Sequence, residues 1–579
     1  MNIGGVNKTI ETDVLVIGGG GGGLRAAVAA NAAGARVLVL SKGIVGKSGL
    51  TQTAVTGFQV AFGYADARDN PEVHYGDSIR GGYGLADPDL ARIFCDEAIA
   101  AVEDIETFGA RFDREENGNL IQRKLDSSQT YPRSIKKGDS LGTPIMQALR
   151  REMNKHKIPR MHEILVTRLL KDGDKVCGAI GLDFQKGEII EFRAGAIVMA
   201  TGGAGELFPC HSNTPDSTGD GFTLALNAGA DLVDIEFLLM LGHAVLHPAT
   251  VRGVLFTFQY LLTKGAKPLF NSEGDSFLSN YDPEGSDNPA RHIYARAIYG
   301  EVRAGRGSPH GGAFFDPGSI SRETLMASLP SQTKYLESFG VDITKPIEVG
   351  AAAHYVCGGI KINTQSQSTV PGLFAVGECS GGPHGAGRIG GNSLTEILVF
   401  GKRAGVEAAA FANIENTGLP ESDEVSSEAN RVISYLSQER TGERPNVIKA
   451  RLQKLMNDYV GVVRNEEGLI DTITEFERIE KEDLPSMSIA ESNRVGNYDW
   501  IEALEVTAMI TLARAMAGAA LLRTESRGAH YREDFPAIDD ENWLRNILIR
   551  RNHVRDALVF ETKDLKPGPE YTSALTGAK

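Results

Sequence analysis

Apolar positions along the chain fall into distinct textures. Residues 13–17 form an apolar, β-rich run, followed by six consecutive glycines, the alanine-rich helical stretch LRAAVAANAAG and the strand-like ARVLVL. A strand, a tight glycine turn, a helix and a second strand predict a βαβ unit. The runs GAIVMATGGAG from Gly195 and GLFAVGE from Gly372 again set an apolar strand against glycines. Three such strands from distant segments predict one sheet domain interrupted in sequence. Between about 241 and 345 the sequence turns to mixed aromatic, polar and proline-containing text, the texture of an insertion placed over a ligand crevice. From about 416 onward, VIKARLQKLMNDYV and WIEALEVTAMITLARAMAGAALLR carry helical apolar spacing and predict a helical bundle.

Size and composition narrow the class. With 579 residues the chain exceeds the size at which one core stops growing, so two to four domains are expected. Hydrophobic residues at 41% and charged residues at 23% describe a globular enzyme rather than a disordered chain. The 67 glycines exceed the usual share of about 7% and cluster, as they do where backbone must approach a ligand. A net charge of -15 opposes binding of nucleic acid or an anionic lipid surface, so an anionic substrate needs a local basic pocket. Cys95, Cys177, Cys210, Cys357 and Cys379 form no CxxC pair, which argues against a zinc ribbon, another metal site or an in-chain iron–sulfur cluster. They read as reduced thiols of a cytoplasmic protein. The N-terminus has no basic stretch leading into an apolar one, and apolar runs fall short of ~18 residues, so neither an export signal nor a membrane span is expected.

Gly18, Gly20 and Gly23 satisfy GxGxxG between a strand and a helix. That spacing gives a tight turn, room for a pyrophosphate and close helix–strand packing, with the helix N-terminus facing the phosphates. Where a plain NAD site carries an acid after the second strand, this chain has Ser41 and Lys42. Glu378, at the end of GLFAVGE, is the alternative acid for a ribose or ribityl hydroxyl, or else only a strand end.

The segments TDVLVIGGGGGGLRAAVAANAAGARVLVLSK, STGDGFTLALNAGADLVDIEF, AHYVCGGIKIN, GLFAVGECSGGPHGAGRIGGNSLTEILVFGKRAG and ESRGAHYREDFPAIDDENW resemble the succinate dehydrogenase and fumarate reductase flavoprotein family, which includes L-aspartate oxidase. The resemblance implies an α/β fold: an interrupted Rossmann-like FAD-binding domain (1–240 and 346–415), an inserted α+β capping domain (241–345) and a C-terminal helical domain (416–579). It implies that Gly18, Gly20, Gly23, Ser41, Lys42, Gly203, Asp220, Glu378, Arg388, Ser393 and Leu394 line the FAD. Family members that link FAD covalently place a histidine where this chain has Leu50, ahead of TAVTGF, so a noncovalent FAD is expected.

Hydride exchange beside a carboxylate needs cations to hold the carboxylate and a proton donor opposite. By resemblance, His354 and Arg388 are the carboxylate-binding pair, and arginine suits a bidentate clamp. Arg291 matches the family's proton-transferring arginine, with Arg296 slightly more than a turn further on. His247 in LHPATVRG resembles the histidine of the HPT motif, and His243 competes for that place. The family commonly reads GVLITE and then an arginine, a proton relay; here Phe258 and Leu261 stand instead, so either another group, such as Lys264 or a water chain, delivers protons, or the substrate differs from fumarate.

Three readings follow. The first is the flavoprotein subunit of a complex that works on a fumarate- or succinate-like acid, passing electrons to an iron–sulfur subunit, with any membrane association supplied by partners. The second is an oxidase of the L-aspartate oxidase kind, or a reductase of another enoate. The third is a flavin scaffold without chemistry, against which the joint presence of His354, Arg388 and Arg291 weighs.

Overall fold

The computed structural model describes residues 5–565 other than 56, 126–127, 263–265, 267–268, 283–290, 319, 415–417 and 438–439. Strand β1 (Lys8–Ile17), helix α1 (Gly21–Ala32) and β2 (Val37–Ser41) form the expected βαβ unit. All five residues of β2 are buried, as in a parallel strand covered on both faces. The same sheet takes β3 (Arg160–His162) beside β2, while β4 (Ile164–Asp172), β5 (Lys175–Asp183) and β6 (Glu188–Met199) extend it from the other side of β1.

After α2 (Asp220–Asn227) the chain enters a separate three-stranded antiparallel sheet: β7 (Leu238–Val245), β8 (Ala313–Phe315) and β9 (Ile347–Val356). Helix α3 (Arg291–Arg303) lies on it, close enough that a Cβ on Gly242 would come within 2.8 Å of Tyr294 Cβ. Residues from 245 to 349, among them Phe256, Phe258, Tyr294 and Phe315, form an apolar core of their own. Within this region α4 (Pro330–Ser338) faces the first sheet domain.

The chain then returns. Strand β10 (Leu373–Ala375) pairs in parallel with the end of β6, so segments far apart in sequence complete one sheet. Helix α5 (Asn392–Ile414) packs along α1 at a glycine-mediated crossing, where a Cβ at Gly401 would come within 2.8 Å of Arg25 and one at Gly405 would overlap the Ala26 carbonyl.

Beyond 416 the chain is mostly helical, including α6 (Pro445–Leu455) and α7 (Tyr498–Leu522). Helix α7 is by length and composition apolar enough to cross a membrane, with 67% of its most apolar window buried inside the protein, as in a core helix. One expectation needs correction. Among the described residues the region is not all helical: β11 (Arg545–Asn552) and β12 (Ala557–Asp564) form a hairpin that pairs through Ile549 with Leu232. Ile547, Leu548 and Ile549 are buried in succession, a short β-branched apolar run that suits a strand covered on both faces better than a helix.

Candidate active site

The glycine turn divides its tasks by position. Gly18 has φ +125°, and a side chain there would overlap the Ala200 carbonyl oxygen. A Cβ at Gly23 would overlap the Gly18 carbonyl, whereas one at Gly20 would meet nothing within 4 Å. Gly18 and Gly23 therefore serve the turn and its packing, and Gly20 leaves space toward a cavity of about 650 Å³. The N-cap residue of α1, Gly20, has no side chain to cap it; the Gly21 amide donates to Thr51 Oγ1 at 3.2 Å, and the positive end of the helix dipole faces that space.

The cavity joins the glycine turn, Ser41, Lys42 and Asp220 with Arg291, His354 and Arg388. Its volume suits a large organic ligand. Thr201 Oγ1 and both polar side-chain atoms of Asn213 are buried on its wall without a protein hydrogen-bond partner. Open space at Gly20, the positive end of α1 and orphaned polar groups on the wall together fit a dinucleotide cofactor.

Lys42 closes one part of the wall. Its Nζ lies 2.8 Å from Glu505 and 3.5 Å from Asp220, and donates to Thr218 Oγ1 at 2.7 Å. Burial alone would discharge this amine, but the two carboxylates outweigh it and raise its pKa. Glu505 was not foreseen: it sits within apolar α7, hundreds of residues from Lys42, with no local motif to mark it.

Glu378 lines the cavity and its Oε1 accepts the Val356 amide at 3.1 Å. Burial pushes its carboxyl up to about 8. Gly203 is not on the cavity wall; it packs against Glu378, and any side chain there would overlap the carboxyl group. Ser393 and Leu394, at the start of α5, and Leu50 do line the cavity.

On the same wall, Arg388 Nη2 donates to His354 Nε2 at 3.3 Å, Nη1 donates to Ser393 Oγ at 3.2 Å, and the guanidinium covers the Tyr355 ring at 4.1 Å. His354 Nδ1 meets Ser212 Oγ at 2.8 Å. Burial, then the charges of Arg388 and Arg291, hold His354 well below the usual histidine range, so it is neutral. Arg291 opens α3, with its guanidinium against Gly390, where a side chain would displace it. Glu378 and Glu396 lie near Arg388, but burial raises their carboxyls to about 8 and about 7, so neither is fully ionised at neutral pH. This is the basic pocket that an acidic protein needs for an anionic substrate.

The histidine of LHPATVRG requires correction. β7 ends at Val245, so His247 lies beyond the strand on an exposed turn, stacked on His310 at 4.4 Å and away from the cavity. His243 lines the cavity instead: a bulge between Leu241 and Ala244 lies in its strand, and its buried Nε2 has no hydrogen-bond partner. Arg296 also leaves the site, donating to the Tyr281 carbonyl at 3.2 Å and stacking on Tyr531. Phe258 and Leu261 are fully buried in the inserted region's core, Phe258 stacked on Phe315 at 4.5 Å. Lys264 lies outside the described residues.

Fold and cavity define a flavoprotein oxidoreductase. Residues 13–394 match the family profile described as FAD binding domain, and 449–571 match fumarate reductase flavoprotein C-term. The chain is 38% identical over 555 residues to one of the subunits of the fumarate reductase (CoM/CoB) of Methanothermobacter marburgensis, covering 94% of this chain and 98% of that one. It is 30% identical to the succinate dehydrogenase flavoprotein subunit of Coxiella burnetii, covering 96% of each. The solved structure of Mycobacterium smegmatis Sdh1 in complex with UQ1 superposes with a TM-score of 0.89 at 35% identity, covering 98% of this chain and 97% of that one. The chain belongs to the succinate dehydrogenase and fumarate reductase flavoprotein family, and is an FAD-dependent oxidoreductase acting on CH–CH groups.

Proposed function

We propose that the protein interconverts a fumarate-like unsaturated carboxylic acid and its saturated form, as the flavoprotein subunit of a larger electron-transfer complex. The observation that carries this reading is the convergence of Arg388, neutral His354 and Arg291 on the wall of the same cavity that the glycine turn lines. Arg388 is the bidentate clamp for a substrate carboxylate, His354 accepts from Arg388 and so positions it, and His243 offers the carboxylate a further hydrogen bond through its unpartnered Nε2. Arg291 exchanges a proton at the substrate carbon next to the one that exchanges hydride. Bound FAD supplies or accepts that hydride. Residues 241–345 act as a cap that excludes water from the reaction.

Leu50 offers no nucleophile to the flavin, so FAD is held without a covalent bond. All five cysteines are buried and unpaired. The electrons therefore need a partner, an iron–sulfur subunit, which also provides any membrane association of an otherwise cytoplasmic protein. The test is to reduce the bound flavin anaerobically and follow its absorbance on adding fumarate, related enoates or oxygen. Fast reoxidation by an unsaturated dicarboxylate supports the reading. Fast reoxidation by oxygen together with flavin reduction by L-aspartate replaces it with the oxidase, and indifference to every acid overturns it.

A further inference from the structure

A guanidinium holds its proton tightly, so proton transfer from Arg291 requires an acid that replenishes it as the proton leaves. Phe258 and Leu261 exclude a route through the core of the inserted region, where both are fully buried. The replacement must be an ionisable group that borders both the site and the solvent.

Asp139 meets that requirement. Its side chain is buried, with 3% of the residue exposed, yet it borders two spaces: the main cavity, which contains Arg291, and an open groove of about 490 Å³ lined by Asp113, Lys137, Thr143 and Gln147. Among the described residues only Asp139, Ser140 and Ser331 are common to both linings, and of these three Asp139 alone carries an acid. The carboxylate is held in place by α4: it accepts the Ser331 amide at 2.8 Å and the Gln332 amide at 3.0 Å. Gln332 in turn bonds Thr257, whose neighbour Phe258 fills the place where related proteins carry a relay acid.

We propose that Asp139 is the proton-entry residue of this enzyme, replacing the relay that Phe258 and Leu261 remove. During reduction, hydride adds to one alkene carbon and Arg291 protonates the other. The Asp139 carboxyl returns a proton to the guanidine through water in the cavity, and the resulting carboxylate takes one from solvent in the groove. Oxidation runs the same path outward. The inference rests on the proposed function, because it assumes that Arg291 exchanges a proton with a carboxylic-acid substrate.

The test uses the FAD-loaded protein with a reduced viologen as electron donor and fumarate or the best enoate as acceptor. Asp139→Asn keeps an oxygen for the α4 amides but cannot carry a proton. The expected result is a turnover about a hundredfold lower, a larger solvent deuterium isotope effect, unchanged flavin content and partial rescue by formate or azide. Asp139→Ala, which also removes the acceptor, should be rescued by the same small acids. Normal turnover of Asp139→Asn with a defective Asp139→Ala would reduce Asp139 to a structural latch and overturn the inference alone. Inactivity of the unsubstituted protein toward every acid would overturn the functional reading, and the inference with it.

Discussion

Arg388 Nη2 stands 3.3 Å from His354 Nε2, and this contact decides which ring nitrogen carries hydrogen. A guanidinium only donates, so Nε2 must accept, and the neutral ring carries its proton on Nδ1, which donates to Ser212 Oγ at 2.8 Å. Ser212, unmarked in the sequence, thus orients the histidine from behind.

Ser212→Ala should therefore lower turnover by about tenfold, the scale of one lost hydrogen bond. Flavin content should stay unchanged. Steady-state kinetics beside the flavin spectrum of the same preparation check this, and equal kinetics would show that Ser212 does not set the tautomer.

Arg291→Lys should keep FAD and lose about a hundredfold in turnover, because lysine cannot reproduce the geometry of the proton-exchanging guanidinium. Near-normal turnover with bound flavin would remove Arg291 from the chemistry.

The two outer motif glycines and the middle one should separate cleanly. Gly23→Ala places a methyl on the Gly18 carbonyl oxygen and should destabilise the fold itself, lowering the melting temperature even without flavin. Gly20→Ala meets no protein atom, so the ligand-free protein should melt like the parent while FAD affinity drops. Calorimetry with a flavin titration measures both. A stable Gly23→Ala, or an unaltered affinity in Gly20→Ala, contradicts the assignment.

Glu378 gives a pH signature. Its folded pKa, about 8, lies above its ordinary 4.5 because burial disfavours the anion. The folded state therefore binds the extra proton, so this stabilising contribution is complete below about pH 4.5 and is lost as the pH rises through about 8. In ligand-free protein, Glu378→Gln should flatten the fall in melting temperature across that window. Glu396, raised to about 7 by burial, contributes in the same direction and leaves a residual slope. Parallel pH profiles for parent and variant would show that Glu378 is not the buried acid responsible.

With leucine at position 50, acid denaturation should release all of the flavin into the supernatant. Flavin retained on the precipitated chain would reveal a linkage through another residue.

Much of the fold was legible because its signals are local. Six glycines between an apolar strand and an alanine-rich helix specify a turn whose φ at Gly18 few other residues adopt. The same locality misled toward the other end of the chain, where charged text from 545 to 564 forms a hairpin whose first strand pairs with residues 232–233, far away in sequence. The His247 assignment followed motif resemblance; whether a histidine reaches the cavity depends on where β7 stops and on its bulge, and these place His243 there instead.

By itself, the sequence determined the βαβ unit, the nucleotide turn and the presence of Arg388, His354 and Arg291, since backbone geometry, periodicity and side-chain chemistry are properties of neighbouring residues. Tertiary structure alone decided that Glu505 neutralises Lys42, that Ser212 backs His354, and that Asp139 stands between cavity and groove. Charge pairing and hydrogen bonding act over a few ångströms of space, and only folding brings residues tens to hundreds of positions apart within that range.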